Sequence, residues 1–431
     1  MSTPFVVRGA DANVLVDAEW QAANGYPHDV WAELRATAPV ARIEPDGHVP
    51  FWAVTRHADV VHVAAHPERY SSAQGITLRP TNATIPPSEI VVMLDPPKHA
   101  KVRRVLSGRF TPRSVRALAD DLDRLATDVV ASSPNPPADF DFVDAVAAPF
   151  PLAVIAWLLG VPADDWELLF RWTNEIIGKD DPEFRRPGES PGRTIKRARG
   201  EVHAYFTQLI EQRRREPDEH LISALLAGAI DGRPLSDAQL LGYCELLVEA
   251  GNETTRNAIS GGVVAFAEHP DQWARLREDS ELVERAADEI LRWSSPISHF
   301  ARTVTEACVL HDVSLAAGDQ VAIYFASANR DESVFDAPFE FRIDRSPNPH
   351  LAFGFGEHVC LGAHIARVEI QAVLRHLLAR YEGFELAGEV ERLRSTVNGS
   401  IKRLPVRATS VEATIDPANP EVGARPMFPT H

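Results

Sequence analysis

The stretch Phe353-Gly-Phe-Gly-Glu-His-Val-Cys360-Leu-Gly-Ala-His-Ile-Ala-Arg367 contains the strongest chemical signal in this chain of 431 residues. Three glycines surround Cys360, and helical periodicity begins directly after the cysteine. Glycine lets backbone N–H groups approach a sulfur atom closely, and the positive end of a helix stabilises a thiolate. The pattern therefore predicts that Cys360 is a thiolate.

Two alternatives explain the same cysteine without this chemistry. A lone cysteine is most often a small buried hydrophobic residue. A zinc site would need further ligands, and only His358 and Cys360 stand close together in this part of the sequence. Zinc is therefore the weaker alternative, and the buried hydrophobic residue stays open on this stretch alone.

The composition indicates a globular protein that does not bind nucleic acid. The chain has 44 Lys and Arg residues against 61 Asp and Glu residues, a formal net charge of −17, so phosphates could bind only at a concentrated basic patch. Hydrophobic residues make up 45% and charged residues 24%, as in ordinary globular proteins. We expect one domain over residues 1–431, with an ordered core at about 15–412 and frayed termini.

The cysteine content and the apolar segments predict a soluble protein of the cytoplasm. Only three cysteines occur, and the start of the chain lacks the basic and apolar segments of a signal peptide. Residues 145–163 carry no charge, but Pro149, Pro151 and Pro162 interrupt them. A buried helix from Pro151 to near Pro162 is expected there, with no membrane span. We expect a monomer.

Apolar periodicity predicts a mainly α-helical fold with a small β region. Ser236 as N-cap predicts a long helix over residues 236–267, and a second helix is predicted over residues 270–293. β-Branched and aromatic residues predict a strand at residues 51–55 and a small sheet within residues 309–324.

The cysteine stretch resembles the haem-binding loop of the cytochrome P-450 superfamily. Phe353, Gly356, His358, Cys360 and Gly362 match that loop position by position. The resemblance implies that Cys360 is the axial thiolate of a b-type haem and that Phe353 packs against its sulfur. A thiolate pushes electron density onto iron and favours cleavage of the O–O bond. The implied fold is the family's mainly helical triangular prism around a buried haem, with a small β region.

The segment Ala250-Gly-Asn-Glu-Thr-Thr255 lies in the middle of the predicted long helix. Glycine and threonine at such a place would ordinarily indicate only a weakened helix. Beside the haem loop, the segment resembles the family's oxygen-activation segment. The resemblance implies that Ala250 and Gly251 lie close to the haem, that Thr254 hydrogen-bonds dioxygen, and that Glu253 relays protons from solvent.

Glu289 and Arg292 resemble the family's structural Glu-x-x-Arg pair, although alone they would indicate only an ion pair on a helix surface. Many family members add an arginine from the segment before the cysteine loop. The matching stretch here, Pro338-Phe-Glu-Phe341, has Glu340 instead. His350 is a candidate for the third partner, which the sequence leaves open.

Four basic residues match positions that face the haem in this family: His99, Arg103, Arg302 and His358. The two propionates of a haem are carboxylates that must be neutralised when they are buried. For His99 and Arg103 the alternative is an ordinary solvated helix face.

Residues 98–116 contain seven basic side chains and no acidic one, a local reversal of sign in an acidic chain. A solvated helix is again the alternative. In the family that the chain resembles, electron donors dock on the cysteine side of the haem near this helix, so an acidic ferredoxin is the expected partner. The chain shows no flavin or nicotinamide domain, so NAD(P)H would act only through a separate ferredoxin reductase, with O2 as co-substrate.

The resemblance also assigns the walls of a substrate pocket, and the side chains there are apolar: Ile76, Leu78, Ile85, Ile90, Val92, Leu246, Leu247, Ile297, Phe300, Val397 and Ile401. An apolar substrate of medium to large size is expected. Residues 251–260, 292–297 and 398–406 resemble the branch of the family that acts on steroids and terpenoids, so hydroxylation of such a molecule is predicted.

Three alternatives to this function remain. The same chemistry could act on a fatty acid, an aromatic compound or a polyketide. A peroxide-driven enzyme would be expected to lack the Glu253–Thr254 pair, which is present. A haem-binding sensor would need an output module, and the sequence shows none.

Overall fold

The computed structural model describes residues 5–83 and 88–410 of the chain. The predicted pocket residue Ile85 lies outside these ranges, as does the tail beyond residue 412, for which the sequence predicts fraying. The described part is mainly helical with a small β region, which confirms the predicted fold class.

Helices make up most of the described chain, and the longest of them is α12. Their bounds are α1 Ala10–Asn13, α2 Ala18–Asn24, α3 His28–Thr37, α4 His57–Ala65, α5 Lys98–Ser107, α6 Pro112–Arg116, α7 Ala119–Ser132, α8 Pro149–Leu159, α9 Trp166–Ile177, α10 Pro191–Arg215, α11 Leu221–Ala227, α12 Asp237–Glu268, α13 Pro270–Glu278, α14 Val283–Ser294, α15 Phe325–Ala328 and α16 Ala363–Arg380. Short 3-10 turns lie at Val91–Met93, Gly108–Phe110, Ala163–Asp165, Pro182–Phe184, Ser280–Leu282 and Gly356–His358, and a π-helical turn lies at Val143–Ala147.

The strands are short, and most of them gather in one sheet. Their bounds are β1 Val6–Arg8, β2 Val40–Glu44, β3 Phe51–Val54, β4 Tyr70–Ser71, β5 Ala138–Asp141, β6 Ala229–Ile230, β7 Arg233–Pro234, β8 His299–Val304, β9 Cys308–Leu310, β10 Val313–Leu315, β11 Gln320–Tyr324, β12 Tyr381–Leu386, β13 Glu391–Arg392, β14 Ile401–Arg403 and β15 Pro405–Ser410. A six-stranded sheet has the order β1-β2-β3-β11-β8-β4, and a three-stranded sheet has the order β12-β15-β5. The predicted strand at residues 51–55 is thus β3, and the predicted sheet at 309–324 divides into the β9–β10 hairpin and β11.

The long helix α12 forms where the sequence predicts it. The Ser236 hydroxyl accepts a hydrogen bond from the backbone N–H of Gln239, and the Gln239 side chain accepts one from the backbone N–H of Ser236. This reciprocal cap satisfies two backbone donors that a helix N-terminus leaves free. The helix packs against α8, α9, α10, α14 and α16, so it runs through the largest group of buried side chains.

The single helix predicted over residues 270–293 is wrong. The chain forms α13 and α14 instead, with a 3-10 turn between them. The Asp279 carboxylate accepts a hydrogen bond from the backbone N–H of Glu281 and so caps a new turn. Side-chain capping of this kind competes with continued helix.

The apolar segment before residue 163 is a buried helix, as predicted, with slightly different ends. Helix α8 begins at Pro149 and ends at Leu159, because Gly160 adopts the left-handed conformation that commonly ends a helix. Across residues 5–83 and 88–410, none of the helices combines the length and the apolar character needed to cross a bilayer.

Candidate active site

The loop that precedes Cys360 is closed by a backbone hydrogen bond and by one close contact that only glycine permits. The Cys360 N–H donates to the carbonyl of Phe353 over 2.8 Å, which closes the loop. Gly356 has a φ of 71°, and a Cβ atom built on it would lie 2.5 Å from the Ala64 carbonyl oxygen on α4. Any other residue would therefore push the loop away from α4. The loop ends at Gly362, and α16 begins at Ala363.

The thiol of Cys360 lies deep in the protein, yet part of the residue is accessible. The accessible surface therefore faces an interior space. Burial raises the pKa of Cys360, while a backbone hydrogen bond from Gly362 and the charges of Arg103 and Arg367 lower it less. Burial therefore opposes the thiolate form that the sequence predicts, and the surrounding contacts offset this effect only in part. A metal cation at the sulfur would reverse this balance.

Phe353 packs against a residue of α16, the helix that follows Cys360. Its ring lies under the Arg367 guanidinium, whose carbon is 4.6 Å from the ring centroid. Arg367 also donates to Asp288 over 2.7 Å, so Phe353 is fixed between the loop and α14.

The four basic residues predicted to face a haem converge in the structure. The rings of His99 and His358 lie 4.2 Å apart, measured between centroids. Burial and the nearby charges of Arg302, His99 and Arg103 lower the pKa of His358 to about 3. Burial also lowers the pKa of Arg302 to about 10. The fold thus brings together side chains from α5, β8 and the cysteine loop.

This cluster lacks enough negative charge of its own. Within the described ranges, the Arg302 side chain donates only to the adjacent Ala301 carbonyl, over 2.8 Å. The buried His99 Nδ1 has no hydrogen-bond partner there, and the nearest carboxylate oxygen, from Glu357, is 3.6 Å away. Asp95 lies close but already accepts hydrogen bonds from Ser71 and Ser72. Buried cations need anionic partners, so the residues fit a ligand that carries two carboxylates, as haem does.

Part of the middle of α12 is accessible. Ala250 is exposed, and Thr254, one turn later, is partly accessible and donates to the Ala250 carbonyl over 2.8 Å. Gly251 points elsewhere: a Cβ atom built on it would lie 3.0 Å from the Ile155 side chain of α8. Gly251 therefore permits the close contact between α12 and α8, and its predicted approach to a haem stays a prediction, as does that of Ala250.

Glu253 is buried and lies in an ion pair that the sequence prediction missed. Its carboxylate accepts from Arg256 over 3.4 Å and from Asn257 over 3.5 Å. Arg256 also donates to the Asn174 side chain over 3.1 Å and to the Ile401 carbonyl over 3.2 Å. Arg256 follows Glu253 by three residues, which is the helical signal that could have indicated this pair.

Glu289 and Arg292 are both fully buried and bonded to each other over 2.7 Å. The third partner is Arg345, whose Nε lies 3.1 and 3.2 Å from the two Glu289 oxygens. His350, the candidate from the sequence, is wrong because it contacts Asp288 over 3.2 Å. The sequence comparison stopped at Phe341, and Arg345 comes four residues later.

Five of the predicted pocket residues lie at two places in the structure. In the first, Ser298 donates to the Val397 carbonyl over 2.7 Å and Ala301 donates to the Ile76 carbonyl over 2.7 Å, so these segments meet around Ile297 and Phe300. In the second, the Ile90 side chain lies 3.8 Å from a Cβ atom built on Gly242 of α12.

The other predicted pocket residues differ in burial. Leu246 and Leu247 are half-buried on α12, Val92 is half-buried in a 3-10 turn, and Ile401 is buried at the start of β14. Leu78 is packed instead with the buried residues of the six-stranded sheet and α3.

The basic segment at residues 98–116 presents fewer free charges than its sequence suggests. Lys98 pairs with Glu89 and Lys101 with Asp231, each over 2.7 Å, and Arg103 is half-buried. The exposed arginines that remain, Arg104, Arg109, Arg113 and Arg116, form what we call the arginine surface. It includes α6, which packs against α16, the helix that begins after Cys360.

Comparisons with known proteins agree on one family. The family model of cytochrome P-450 matches residues 18–401. Cytochrome P-450 126 of Mycobacterium tuberculosis is 38% identical over 89% of this chain and 94% of its own length. A steroid C26-monooxygenase of Mycolicibacterium smegmatis is 36% identical over 89% and 91%, and a linalool 8-monooxygenase of Pseudomonas putida is 35% identical over 88% and 95%.

A solved structure supports the same relationship. The crystal structure of CYP108D1 from Novosphingobium aromaticivorans superimposes with a TM-score of 0.85 at 31% identity. The match covers 95% of this chain and 100% of that one.

Proposed function

Because the chain belongs to the cytochrome P-450 family and is therefore an oxygen-incorporating oxidoreductase, we propose that it binds haem b through Cys360 and hydroxylates a steroid or a terpenoid. The observation that carries the haem site is the convergence of four basic side chains near Cys360, among which the buried Arg302 has no carboxylate bonded to it in the described part of the chain. The conversion consumes substrate, O2, two electrons and two protons and yields an alcohol and water. The protein must therefore admit electrons and protons in each cycle.

The residues around Cys360 would hold the haem at both its iron and its edge. Cys360 would ligate the iron, and His99, Arg103, Arg302 and His358 would pair with the two propionates. Bound haem would supply the activation of dioxygen and the insertion of one oxygen atom into a C–H bond.

Thr254 and Glu253 would deliver the protons. The Thr254 hydroxyl is accessible and oriented by the Ala250 carbonyl. Glu253 is held by Arg256 and Asn257, so its carboxyl group must leave this ion pair before it can pass a proton to the Thr254 oxygen. The strength of the Glu253–Arg256 contact would then limit how fast protons reach the site.

Apolar pocket walls and two relatives support the substrate class. The side chains of Ile90, Ile297, Phe300 and Val397 are apolar and partly accessible, which suits a large apolar molecule. Two relatives of about the same similarity are named for a steroid and for linalool. These names support the proposal for this chain without fixing the carbon that is oxidised.

An acidic ferredoxin would supply the electrons at the arginine surface. A separate ferredoxin reductase would reduce that ferredoxin and oxidise NAD(P)H. Opposite charges steer such partners together over long distances. The low cysteine content suits the cytoplasm, where these partners would be found.

The carbon monoxide complex of the reduced protein tests the haem ligand. We expect the red-shifted Soret band of a thiolate-ligated haem in the wild type, and its loss in Cys360→Ser. Cys308→Ser is the matched control, because Cys308 lies in the β9–β10 hairpin. A red-shifted band that survives in Cys360→Ser would contradict the assignment.

Turnover tests the rest of the proposal. The purified protein, a ferredoxin, its reductase and NADPH would be incubated with steroids, terpenoids and fatty acids, and products would be identified by mass spectrometry. A hydroxylated steroid or terpenoid is the expected product. Exclusive turnover of fatty acids would overturn the substrate class, and haem binding without any turnover would favour the sensor alternative.

A further inference from the structure

Asp288 of α14 holds two side chains that lie against Phe353, and nothing in the proposed mechanism requires it. Its Oδ1 atom accepts from Arg367 Nε over 2.7 Å and lies 3.2 Å from His350 Nε2. The Ala352 N–H donates to His350 Nδ1 over 3.3 Å, so the ring proton is on Nε2 and is donated to Asp288. One carboxylate oxygen therefore fixes both side chains.

Both of these side chains pack on the ring of Phe353. The guanidinium carbon of Arg367 is 4.6 Å from the centroid of that ring, and the centroid of the His350 ring is 5.9 Å from it. The His350 side chain is almost fully buried, whereas those of Arg367 and Asp288 keep 31% and 35% of their exposure. The charges of the Asp288–Arg367 ion pair are therefore only partly screened by solvent.

The ion pair lies close to Cys360. Arg367 is on the second turn of α16, which begins after the cysteine, and the Phe353 carbonyl accepts from the Cys360 N–H over 2.8 Å. Burial raises the pKa of Cys360 most, and the charges of Arg103 and Arg367 lower it. With haem bound, Arg103 would pair with a propionate, which leaves Arg367 as the cation that acts on the sulfur.

We propose that the Asp288–Arg367 ion pair sets the reduction potential of the haem that Cys360 would hold. Reduction of ferric to ferrous haem adds one electron, and so one negative charge, to the iron and its thiolate. A nearby cation favours the ferrous form, and Asp288 offsets part of the charge of that cation. Both are positioning residues, because they act on the iron through Cys360. The inference rests on the proposed function, since it concerns the haem that this function requires.

A redox titration of the haem-loaded protein tests the proposal, with dithionite as the electron donor, mediators present and no substrate. Asp288→Asn keeps an oxygen that accepts from Arg367 and His350 but removes the negative charge. It should favour the ferrous form about threefold at a fixed potential, a rise of about 30 mV at 59 mV per tenfold change. Arg367→Met removes the positive charge and should favour the ferric form about threefold.

The opposite signs separate an electrostatic role from a structural one. Both variants weaken the same ion pair, so a mere loosening of Phe353 would move the potential in the same direction in each. Arg367→Lys keeps the charge without the planar guanidinium and should stay within about twofold of the wild type. Asp139→Asn is the matched control, because Asp139 pairs with Arg407 over 2.8 Å in the three-stranded sheet, and it should leave the potential unchanged.

Any result other than opposite shifts in Asp288→Asn and Arg367→Met would overturn the proposal, as would an equal shift in Asp139→Asn. The carbon monoxide spectrum separates this failure from failure of the proposed function. If the wild type shows the thiolate band and the shifts are absent, only the role of the ion pair is lost. If the wild type lacks that band, the proposed function fails first.

Discussion

Replacing Arg345 by methionine tests the buried ion network around Glu289. The Arg345 side chain contacts both oxygens of Glu289, and it donates to the carbonyls of Asp336, Ala337 and Glu340 over 2.6, 3.1 and 2.9 Å. Both members of the Arg345–Glu289 pair are almost fully buried. Methionine fills much of the same volume but leaves three carbonyls without this donor.

The expected loss of stability depends on the partners that Glu289 keeps in Arg345→Met. Breaking a buried ion pair costs about 3–5 kcal/mol. Glu289 keeps Arg292 and also accepts from the Arg342 backbone and the Asn348 side chain, over 2.9 and 3.2 Å. We therefore expect a value near the lower end, about 3 kcal/mol in the free energy of unfolding. Arg345→Lys should lose about half as much, because lysine keeps the charge without the planar set of donors.

Urea unfolding of the haem-loaded protein, followed by circular dichroism, would measure these losses. His350→Ala is the control, since His350 does not bond Glu289: its ring accepts from the Ala352 N–H over 3.3 Å and contacts Asp288, which keeps its 2.7 Å bond to Arg367. It should cost less than Arg345→Met, about 1–2 kcal/mol. The reasoning is refuted if His350→Ala destabilises the protein more than Arg345→Met does.

Three further predictions concern function. Arg113→Glu should slow reduction by an acidic ferredoxin about tenfold in stopped-flow measurements at low salt, and the substrate Kd should not change. Arg124→Glu is the control, because Arg124 lies on a helix outside the arginine surface. Equal slowing in both variants would contradict the docking site. Thr254→Ala should still consume NADPH but release hydrogen peroxide in place of product, whereas Glu253→Gln should slow turnover. If Thr254→Ala forms as much product per NADPH as the wild type, the proton-delivery role of Thr254 is contradicted. Arg302→Leu should raise the free energy of unfolding of the haem-free protein by about 1–3 kcal/mol and should weaken haem retention, so it should lower the stability of the haem-loaded protein. Urea unfolding of the two proteins measures both effects. If the substitution changes the stability of both in the same direction, Arg302 does not carry an uncompensated charge.

Local patterns in the sequence predicted the parts of the fold that local forces decide. The Ser236 cap lies within four residues of its partner, so the start of α12 could be predicted. The cysteine loop could be predicted because its glycines stand next to Cys360 in the sequence. Gly356 is one of them, and it must be glycine because the loop contacts α4 there. The break at Asp279 was missed because helical periodicity continues across it, and a single capping side chain decided the outcome.

Contacts between distant segments could not be predicted in this way. Lys98 and Lys101 look free in the sequence, but their partners include Asp231, which a loop elsewhere in the chain brings close. The contact between Gly251 and Ile155 could not be predicted for the same reason, since the packing of α8 decides which way that face of α12 points. Sequence therefore indicated which residue types belong to the site, and tertiary packing decided their directions.

The balance of buried charge separates structural ion pairs from ligand sites in this protein. The buried arginines Arg256 and Arg292 each have a carboxylate from the same helix. Arg330 lacks one but is held by two backbone carbonyls and the ring of Trp293. Arg302 has neither a carboxylate bonded to it nor an aromatic ring among its described contacts.

Leaving the Arg302 guanidinium buried without an anionic partner is costly, and folding gives no compensation for it within the described chain. A bound molecule can supply the missing partner. The uncompensated charge of Arg302 near Cys360 therefore fits a cofactor that carries carboxylates.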